Sequence, residues 1–319
     1  MTVRETKLRK GACSRRGESG ISDKKARPTH FGALTFLVAI VLFAPPVSWG
    51  QSFKAKSALV IDATTGQILF WKEPDLQLPP ASTTKLMTAI VTMENATLDQ
   101  WVTISKNAAR VPPYKMGLRP GDRATIESLL YAALLKSSND AAVALAEGVA
   151  GSEEGFVQMM NQKAFSLGAR NTRFSNPHGL PGPDQHTTVS DLALIMLHAM
   201  AHPKLREIIE TPMAEFSTEK GKVFSLKSTN KLLWSDESLV GGKTGFTVSA
   251  GHCFVCVAER ENRKIIVSIL GSPSRKLLWK ETQQLIDIGF KVLAISLPAA
   301  WSRNNPIRAR ISAYLFIGS

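Results

Sequence analysis

Residues 78–88 read Leu-Pro-Pro-Ala-Ser-Thr-Thr-Lys-Leu-Met-Thr, and they lead into a helical pattern over 83–93. Ser82 and Lys85 stand three residues apart at the start of this helix, so both side chains are predicted to project from one face and touch. A serine hydroxyl is a poor nucleophile until a base takes its proton, and a lysine amine does this when burial or nearby cations lower its pKa. Alone, the pair is a weak signal, because an N-cap serine followed by a solvated lysine gives the same pattern.

Two further motifs follow in order along the chain. Ser137-Ser-Asn139 falls in a short break between helices predicted over 126–135 and 140–149. Lys243-Thr-Gly245 stands at the head of a predicted strand. Alone, the first is typical of a capped turn and the second of a surface strand end. Together with Ser82 and Lys85, in this order and in these settings, they predict a serine acyl-transfer site.

The remaining elements predict an α+β fold. Strands are expected near both ends of the chain and helices between them, which favours an antiparallel β-sheet flanked by helices with an inserted helical lobe. The closing helix is expected to end near 288. The remaining predicted ranges are a hairpin at 58–62 and 68–71, helices at 153–167, 189–200 and 276–288, and strands at 253–258 and 265–270.

Residues 1–50 have the pattern of an export leader. The first thirty carry nine Lys or Arg and three acidic residues, and 31–47 are uncharged. Ser48 and Gly50 suit the −3 and −1 places of a signal-peptidase cut before Gln51. The alternative is an uncleaved N-terminal membrane anchor. Either way the domain is expected outside the cytoplasm, in the periplasm or on the outer face of the cytoplasmic membrane.

Three segments are predicted: the leader over 1–50, a catalytic domain over 51–290, and a short basic tail over 291–319. The net charge of +13 would suit a nucleic-acid partner. About half of that excess lies in the leader, however, and the rest is spread without an obvious cluster. Nucleic acid is therefore not expected as a partner.

Cysteines and histidines suggest no metal or redox chemistry. Cys253 and Cys256 lie in a predicted strand, where residues three apart point to opposite faces, so two buried thiols are expected. His178 is interpreted as a loop-fixing residue. The other four histidines of the mature chain, which are interpreted as sharing no metal-ligand spacing, are His186, His198, His202 and His252. No metal or cofactor is therefore expected.

The three motifs resemble those of the penicillin-binding and serine β-lactamase superfamily, most closely the low-molecular-mass D-alanyl-D-alanine carboxypeptidases of serine peptidase family S11. The resemblance extends from about 58 to 290 and implies a β-lactamase/transpeptidase-like fold. It includes Pro80-Ala-Ser-Thr-Thr-Lys-Leu-Met-Thr88, Ser137-Ser-Asn-Asp-Ala-Ala-Val-Ala-Leu-Ala-Glu147, Asn176-Pro-His-Gly-Leu180, Thr229-Asn-Lys-Leu-Leu-Trp234 and Gly242-Lys-Thr-Gly-Phe-Thr247.

The resemblance implies a role for each motif residue. Ser82 would be the acylated nucleophile, Lys85 its base, and Ser137 a proton relay to the departing D-alanine. Asn139 would hold the substrate amide and orient Lys85. Lys243 and Thr244 would bind the substrate's terminal carboxylate, and Gly245 would let the strand backbone come close to the ligand. The backbone amides of Ser82 and Phe246 would form the oxyanion hole.

The activity implied is removal of the terminal D-alanine from peptidoglycan stem peptides, with β-lactams as covalent inhibitors. A class A β-lactamase would share the motifs, but no Glu occurs from Gly155 to Arg206, where such enzymes carry their deacylating residue. The motifs also suit a DD-endopeptidase on the same fold or a non-catalytic wall-binding protein. They leave the balance between carboxypeptidase and endopeptidase open.

Overall fold

The computed structural model describes residues 53–295, and the leader and most of the tail lie outside that range. Within it, no helix has both the length and the apolar character needed to cross a bilayer. The nine strands are β1 Ser57–Asp62, β2 Ile68–Lys72, β3 Trp101–Thr103, β4 Arg123–Thr125, β5 Met213–Ser217, β6 Val223–Lys227, β7 Leu239–Thr247, β8 Gly251–Arg260 and β9 Arg263–Ser272. The eight α-helices of the same range are α1 Lys85–Asn95, α2 Lys106–Arg110, α3 Ile126–Leu134, α4 Asn139–Ala150, α5 Glu153–Ser166, α6 Val189–Ala201, α7 Pro203–Glu210 and α8 Arg275–Ile295.

Five strands form one antiparallel sheet in the order β2-β1-β9-β8-β7. The hairpin β1–β2 comes from the start of the described chain, and β7, β8 and β9 come from its end. The helices between them form the inserted lobe, as the alternation of patterns predicts. The predicted α+β class and antiparallel sheet are therefore confirmed, and β7 is an edge strand with one side open towards the lobe.

Each face of the sheet packs against its own hydrophobic cluster. On one face α8 covers the sheet through Leu278, Leu285 and Ile286. On the other face the buried sides of α1, α3, α4 and α6 form the larger cluster. Cys253 belongs to this larger cluster, whereas Cys256 belongs to the cluster under α8. Both thiols are free and buried, which confirms the strand geometry expected for the pair.

Most predicted elements match to within two residues, and the exceptions have simple causes. The helix expected from Thr83 begins at Lys85, because Ala81–Thr84 form a 3₁₀ turn instead. The closing helix continues beyond 288 to Ile295, since Leu293 is buried against the sheet. The tail predicted from 291 therefore begins inside α8. The two-strand sheets β3–β4 and β5–β6 are too short to leave a clear pattern, and neither they nor the short helices α2 and α7 are predicted.

Candidate active site

Ser82 lies in the 3₁₀ turn immediately before α1, at the point where the lobe meets the sheet. The turn starts at Ala81, whose φ of 48° is unusual for a residue with a side chain. Ser82 is half-buried, so its hydroxyl is open to the cleft, while Lys85 one turn later is fully buried. Backbone strain of this kind clusters at functional sites, where surrounding packing holds it in place.

The Lys85 amine has three oxygen neighbours. Its Nζ lies 3.0 Å from Ser82 Oγ, 2.8 Å from Asn139 Oδ1 and 2.6 Å from the backbone oxygen of His178. The last two oxygens can only accept hydrogen bonds. The predicted contact between Ser82 and Lys85 is thus present in the structure.

Burial holds the pKa of Lys85 well below its usual range, and the positive charge of the nearby Lys243 lowers it further. A neutral amine has two N–H donors and one lone pair. The two acceptor oxygens take the two donors, which leaves the lone pair facing the Ser82 hydroxyl. This arrangement allows Lys85 to accept the hydroxyl proton.

The second motif lies across the cleft between α3 and α4. Ser137 has a φ of 63°, a left-handed conformation that turns the chain sharply between the two helices. Asn139 follows as the first residue of α4, and its Nδ2 donates to the backbone oxygen of Pro113 at 2.8 Å. Because Asn139 Oδ1 accepts from Lys85, both ends of its side chain are held by the protein. The orienting contact predicted for Asn139 is present, and its contact with the substrate amide stays a prediction.

Asp140 holds the segment that follows Tyr114, a residue of the cleft lining, and the sequence motifs did not indicate this role. Its buried carboxylate accepts backbone N–H bonds from Met116, Gly117 and Leu118. The backbone N–H of Asn139 also donates to the oxygen of Tyr114 at 2.8 Å. The sequence signal for this role was Asp140 itself, next to Asn139 at the start of a predicted helix. A carboxylate buried there needs several hydrogen-bond donors from neighbouring segments.

Lys243 lies in the middle of β7 and not at the head of a strand as predicted, because β7 begins four residues earlier at Leu239. It connects the third motif to the second. Its Nζ lies 2.9 Å from Ser137 Oγ and 3.0 Å from the backbone oxygen of Thr244. The side chain is almost fully buried, and this burial lowers the pKa of Lys243 to about 7. Thr244 Oγ1 is in hydrogen-bond contact with Thr229 Oγ1 at 2.7 Å. When protonated, Lys243 keeps a third donor. Like Lys85 and Asn139, it lies behind the cleft surface and is not among the residues that line the cleft.

Two glycines allow separate segments to approach the backbone of Ser82. A Cβ on Gly245 would lie 2.9 Å from the Ser82 nitrogen, and a Cβ on Gly179 would lie 1.9 Å from the Ala81 oxygen. Side chains are therefore excluded at both positions. The approach predicted for Gly245 was to the ligand and stays a prediction; what Gly245 meets in the structure is the segment that carries Ser82.

His178 is positioned as a loop residue. Its ring Nδ1 accepts the backbone N–H of Leu180 at 3.2 Å, and its backbone oxygen accepts from Lys85. Burial and the neighbouring Lys85 lower the pKa of His178 to about 3, so the ring is neutral. The geometry agrees with the loop-fixing interpretation.

A cleft of about 570 Å³ opens in front of Ser82. It includes Ser137, Thr244, Gly245 and Phe246 of the predicted site, and the Phe246 ring stacks on His252 at 4.4 Å. None of the described residues that line it is acidic. Lys231 and Trp234 of the motif at 229–234 also line it. Four further lining residues come from separate segments and were not singled out from the sequence: Tyr114, Lys136, Lys227 and Arg275.

One interpretation of the histidines is wrong. His198 and His202 are separated by one helical turn, and with Glu94 they form a group whose ligand atoms all lie within 4.8 Å of one another. Residues four apart share a helix face, so their spacing does suit a metal. The Glu94 partner is distant in sequence and gives no local signal. This group is not among the residues that line the cleft.

Comparisons with known proteins agree with the site. A protein-family model described as D-alanyl-D-alanine carboxypeptidase matches residues 44–274. A D-alanyl-D-alanine carboxypeptidase of Bacillus subtilis is 32% identical over 271 residues, which cover 80% of this chain and 70% of that protein. A D-alanyl-D-alanine endopeptidase of Pseudomonas aeruginosa is 33% identical over 237 residues, which cover 71% and 75%.

The fold has the same relatives. The crystal structure of the Streptomyces K15 DD-transpeptidase matches with a TM-score of 0.72 at 30% identity, covering 76% of this chain and 98% of that one. The family model spans most of the chain, and the curated relatives match it at similar identity over most of their length. The chain therefore belongs to the D-alanyl-D-alanine carboxypeptidase family of serine peptidases, and its fold is that of the penicillin-binding proteins.

Proposed function

We propose that this protein is a serine-type D-Ala-D-Ala carboxypeptidase that removes the terminal D-alanine from peptidoglycan stem pentapeptides through an acyl-enzyme on Ser82. The observation that carries the proposal is the environment of Lys85. Its amine is buried, its pKa is lowered, and its two acceptor partners leave the lone pair directed at Ser82 Oγ. A base held in this way suits proton removal from a hydroxyl and has no evident structural use.

In the first step the proton of Ser82 moves to Lys85 as Oγ attacks the carbonyl carbon of the penultimate D-alanine. The negative charge that develops on the carbonyl oxygen would be stabilised by the backbone amides of Ser82 and Phe246. Collapse of this intermediate breaks the C–N bond, and the leaving nitrogen takes a proton. Ser137 and Lys243, which are hydrogen bonded to each other, would deliver that proton. Water then hydrolyses the ester and frees Ser82.

Recognition of the terminal carboxylate would rest on Lys243 and Thr244. Lys243 directs two donors to Ser137 and to the backbone, which leaves one donor for the carboxylate. The approach of a negative charge favours the ammonium form, so binding itself would raise the pKa of Lys243 from its value in the free enzyme. Arg275 lines the same cleft and adds to its positive character.

The surroundings of the enzyme follow from the same proposal. The substrate is cell-wall peptide, so the domain over 51–290, extended by α8 to Ile295, would act outside the cytoplasm after export by the leader over 1–50. Membrane association through the N-terminal segment lies outside the described residues and is part of the proposal. β-Lactams would acylate Ser82, because they also present a carboxylate next to a reactive carbonyl.

The decisive experiment offers a stem pentapeptide ending in D-Ala-D-Ala to the purified protein and measures free D-alanine. Release is expected from the wild type and not from Ser82→Ala, with Ser166→Ala as a control, since Ser166 caps the end of α5 outside the cleft. Release by Ser82→Ala at the normal rate would remove Ser82 from the mechanism. Covalent labelling with fluorescent penicillin tests for a non-catalytic wall-binding protein, because a dead site gives no labelled band.

A DD-endopeptidase is the second candidate, favoured by the similarity to the Pseudomonas aeruginosa endopeptidase. Both activities use one acyl-enzyme and differ in the leaving amine, which is D-alanine in one case and a cross-linking side chain in the other. Purified cross-linked dimer peptide separates them. Conversion of the dimer to monomers faster than release of D-alanine from pentapeptide would favour the endopeptidase.

A further inference from the structure

A second group of reactive side chains lies at the end of α1 opposite to Lys85. Glu94 stands one residue before the end of α1, roughly 14 Å beyond Lys85 at a helical rise of about 1.5 Å per residue. His198 lies in the last turn of α6, and His202 is the residue that ends this helix. The group therefore joins the ends of two helices at a distance from the catalytic site.

The three ligand atoms form a nearly equilateral triangle. Glu94 Oε1 lies 2.8 Å from His198 Nε2 and 3.5 Å from His202 Nε2, and the two ring nitrogens are 3.3 Å apart. In a tetrahedral zinc site with bonds of about 2.05 Å, neighbouring ligand atoms lie about 3.3 Å apart. An ion about 2.05 Å from all three atoms would stand roughly 0.8 Å out of their plane, close to the roughly 0.7 Å of an ideal tetrahedron.

From this geometry we infer that Glu94, His198 and His202 bind a divalent transition-metal ion, with Zn²⁺ as the first candidate. Two imidazoles and one carboxylate are a ligand set that zinc prefers. His198 in the last turn of α6 and His202, the residue just after that helix, stand four residues apart, and with the Glu94 carboxylate from α1 they bring three donors together. Water can reach the ion to supply a fourth ligand, because all three side chains are partly exposed.

Lys163 of α5 competes with the ion. Its Nζ lies 2.6 Å from Glu94 Oε1, the same oxygen that the two histidines approach. An ammonium and a dication at one oxygen repel each other, so metal binding requires Lys163 to swing into solvent. Lys163 is near the end of its helix and its side chain is partly exposed, which makes this movement inexpensive. Lys163 thus weakens the site without blocking it.

The ion would have a structural role. It would tie the end of α1 to the end of α6, far from Ser82, and a ligand that binds only the folded state stabilises that state. The expected consequences are a higher thermal midpoint in the presence of Zn²⁺ and an unchanged rate of Ser82 acylation. These consequences do not depend on the reaction proposed above.

The test uses the full chain, treated with a chelator and dialysed, and titrates it with ZnCl₂ by calorimetry. One site per chain is expected. His198→Ala and His202→Ala should each weaken it by more than the roughly 10–100-fold that loss of an outer-shell contact costs. Titration with Co²⁺ should give the intense visible absorption of a tetrahedral ion. The matched control is His186→Ala, a half-buried histidine outside the group.

Lys163→Met distinguishes the proposal from a purely structural cluster, because it should tighten Zn²⁺ binding although it removes an ion pair. Circular dichroism establishes that each variant is folded, and Glu94→Gln provides a ligand change of nearly equal size. Absence of saturable Zn²⁺ binding, or equal binding by the wild type, His198→Ala and His202→Ala, overturns the inference. An unchanged or weaker affinity in Lys163→Met overturns the shared-oxygen geometry on which it rests.

Discussion

Lys85 Nζ lies 3.0 Å from Ser82 Oγ, and its two other neighbours are oxygens that can only accept hydrogen bonds. The backbone oxygen of His178 and the side-chain oxygen of Asn139 therefore do more than hold the amine in place. They occupy the N–H groups of the neutral amine and so determine the direction of its lone pair. The neutral state is favoured because the side chain is fully buried.

The first prediction concerns the charge of this amine. Lys85→Arg keeps a cation but cannot accept a proton, so acylation of Ser82 should fall by about 10²–10⁴-fold, the usual contribution of a general base. The measurement is the rate of covalent labelling by fluorescent penicillin. Lys280→Arg, on the exposed part of α8, is the matched control and should label at the normal rate. Normal labelling of Lys85→Arg would contradict the assigned role.

The second prediction concerns pH. Burial lowers the pKa of Lys243 to about 7, so in the free enzyme its ammonium is lost as the pH rises through that value. Carboxylate binding is lost with it, and kcat/KM should fall on the alkaline side of about pH 7. Lys85 is needed neutral, so its protonation accounts for the acid limb.

Lys243→Arg tests this assignment. The guanidinium stays protonated throughout, so the alkaline limb of kcat/KM should move up even if the overall rate is lower. The profile is measured with a D-Ala-D-Ala pentapeptide between pH 5 and about 10. An alkaline limb at the same pH in wild type and Lys243→Arg would assign that limb to another group.

The third prediction concerns the close approach of β7 to the nucleophile. In Gly245→Ala the new Cβ would lie 2.9 Å from the Ser82 nitrogen, so one of the two segments must shift. A misplacement of about 1 Å typically costs about 10²-fold in rate, and a loss of this order in acylation is expected. The control is Gly155→Ala on α5, where the nearest atom is a serine hydroxyl at 3.3 Å. Acylation of Gly245→Ala at the wild-type rate would show that the approach is not needed.

The fourth prediction concerns antibiotics. No acidic residue is among the described residues that line the cleft, and no Glu occurs in the sequence from Gly155 to Arg206. Penicillin and nitrocefin should therefore form a stable acyl-enzyme, seen as a burst of about one equivalent followed by slow turnover. Rapid, sustained nitrocefin hydrolysis would instead support a β-lactamase.

The fifth prediction concerns the two thiols. Burial raises the pKa of Cys253 to about 12 and also raises the pKa of Cys256. Neither thiolate forms near neutral pH, so iodoacetamide should modify neither residue in the folded protein and both in denaturant. Peptide mass mapping distinguishes them from Cys13 in the leader. Modification of either one at the rate of a free peptide thiol would contradict their burial.

Local pattern predicted the elements and the chemistry but not their partners. The spacing of Ser82 and Lys85, the break at Ser137 and the strand expected at Lys243 are each properties of a few neighbouring residues. Hydrophobic periodicity likewise predicted β8 and β9 and the opposite orientations of the two thiols. The short strands of β3–β4 and β5–β6 were missed because three to five residues carry too little periodicity to be distinguished from loops.

Contacts between distant segments were beyond the reach of such patterns. Three such contacts are the hydrogen bonds from residues 116–118 to Asp140, the approach of Gly179 to Ala81 and the meeting of Glu94 with His198. Each joins segments that local pattern does not connect. A single sequence records which residue types are present, not which of them the packing of helices brings within a hydrogen-bond length.

The amino-acid sequence by itself determined the fold class, the family and the residue types of the reaction, because these depend on periodicity and on short motifs in a set order. Only the tertiary structure decided the state of Lys85. That state depends on burial and on two acceptors, one from the start of α4 and one from the loop at 178. A pKa is lowered by the loss of water around the charge, and that loss occurs only when separate parts of the chain close over the same atom.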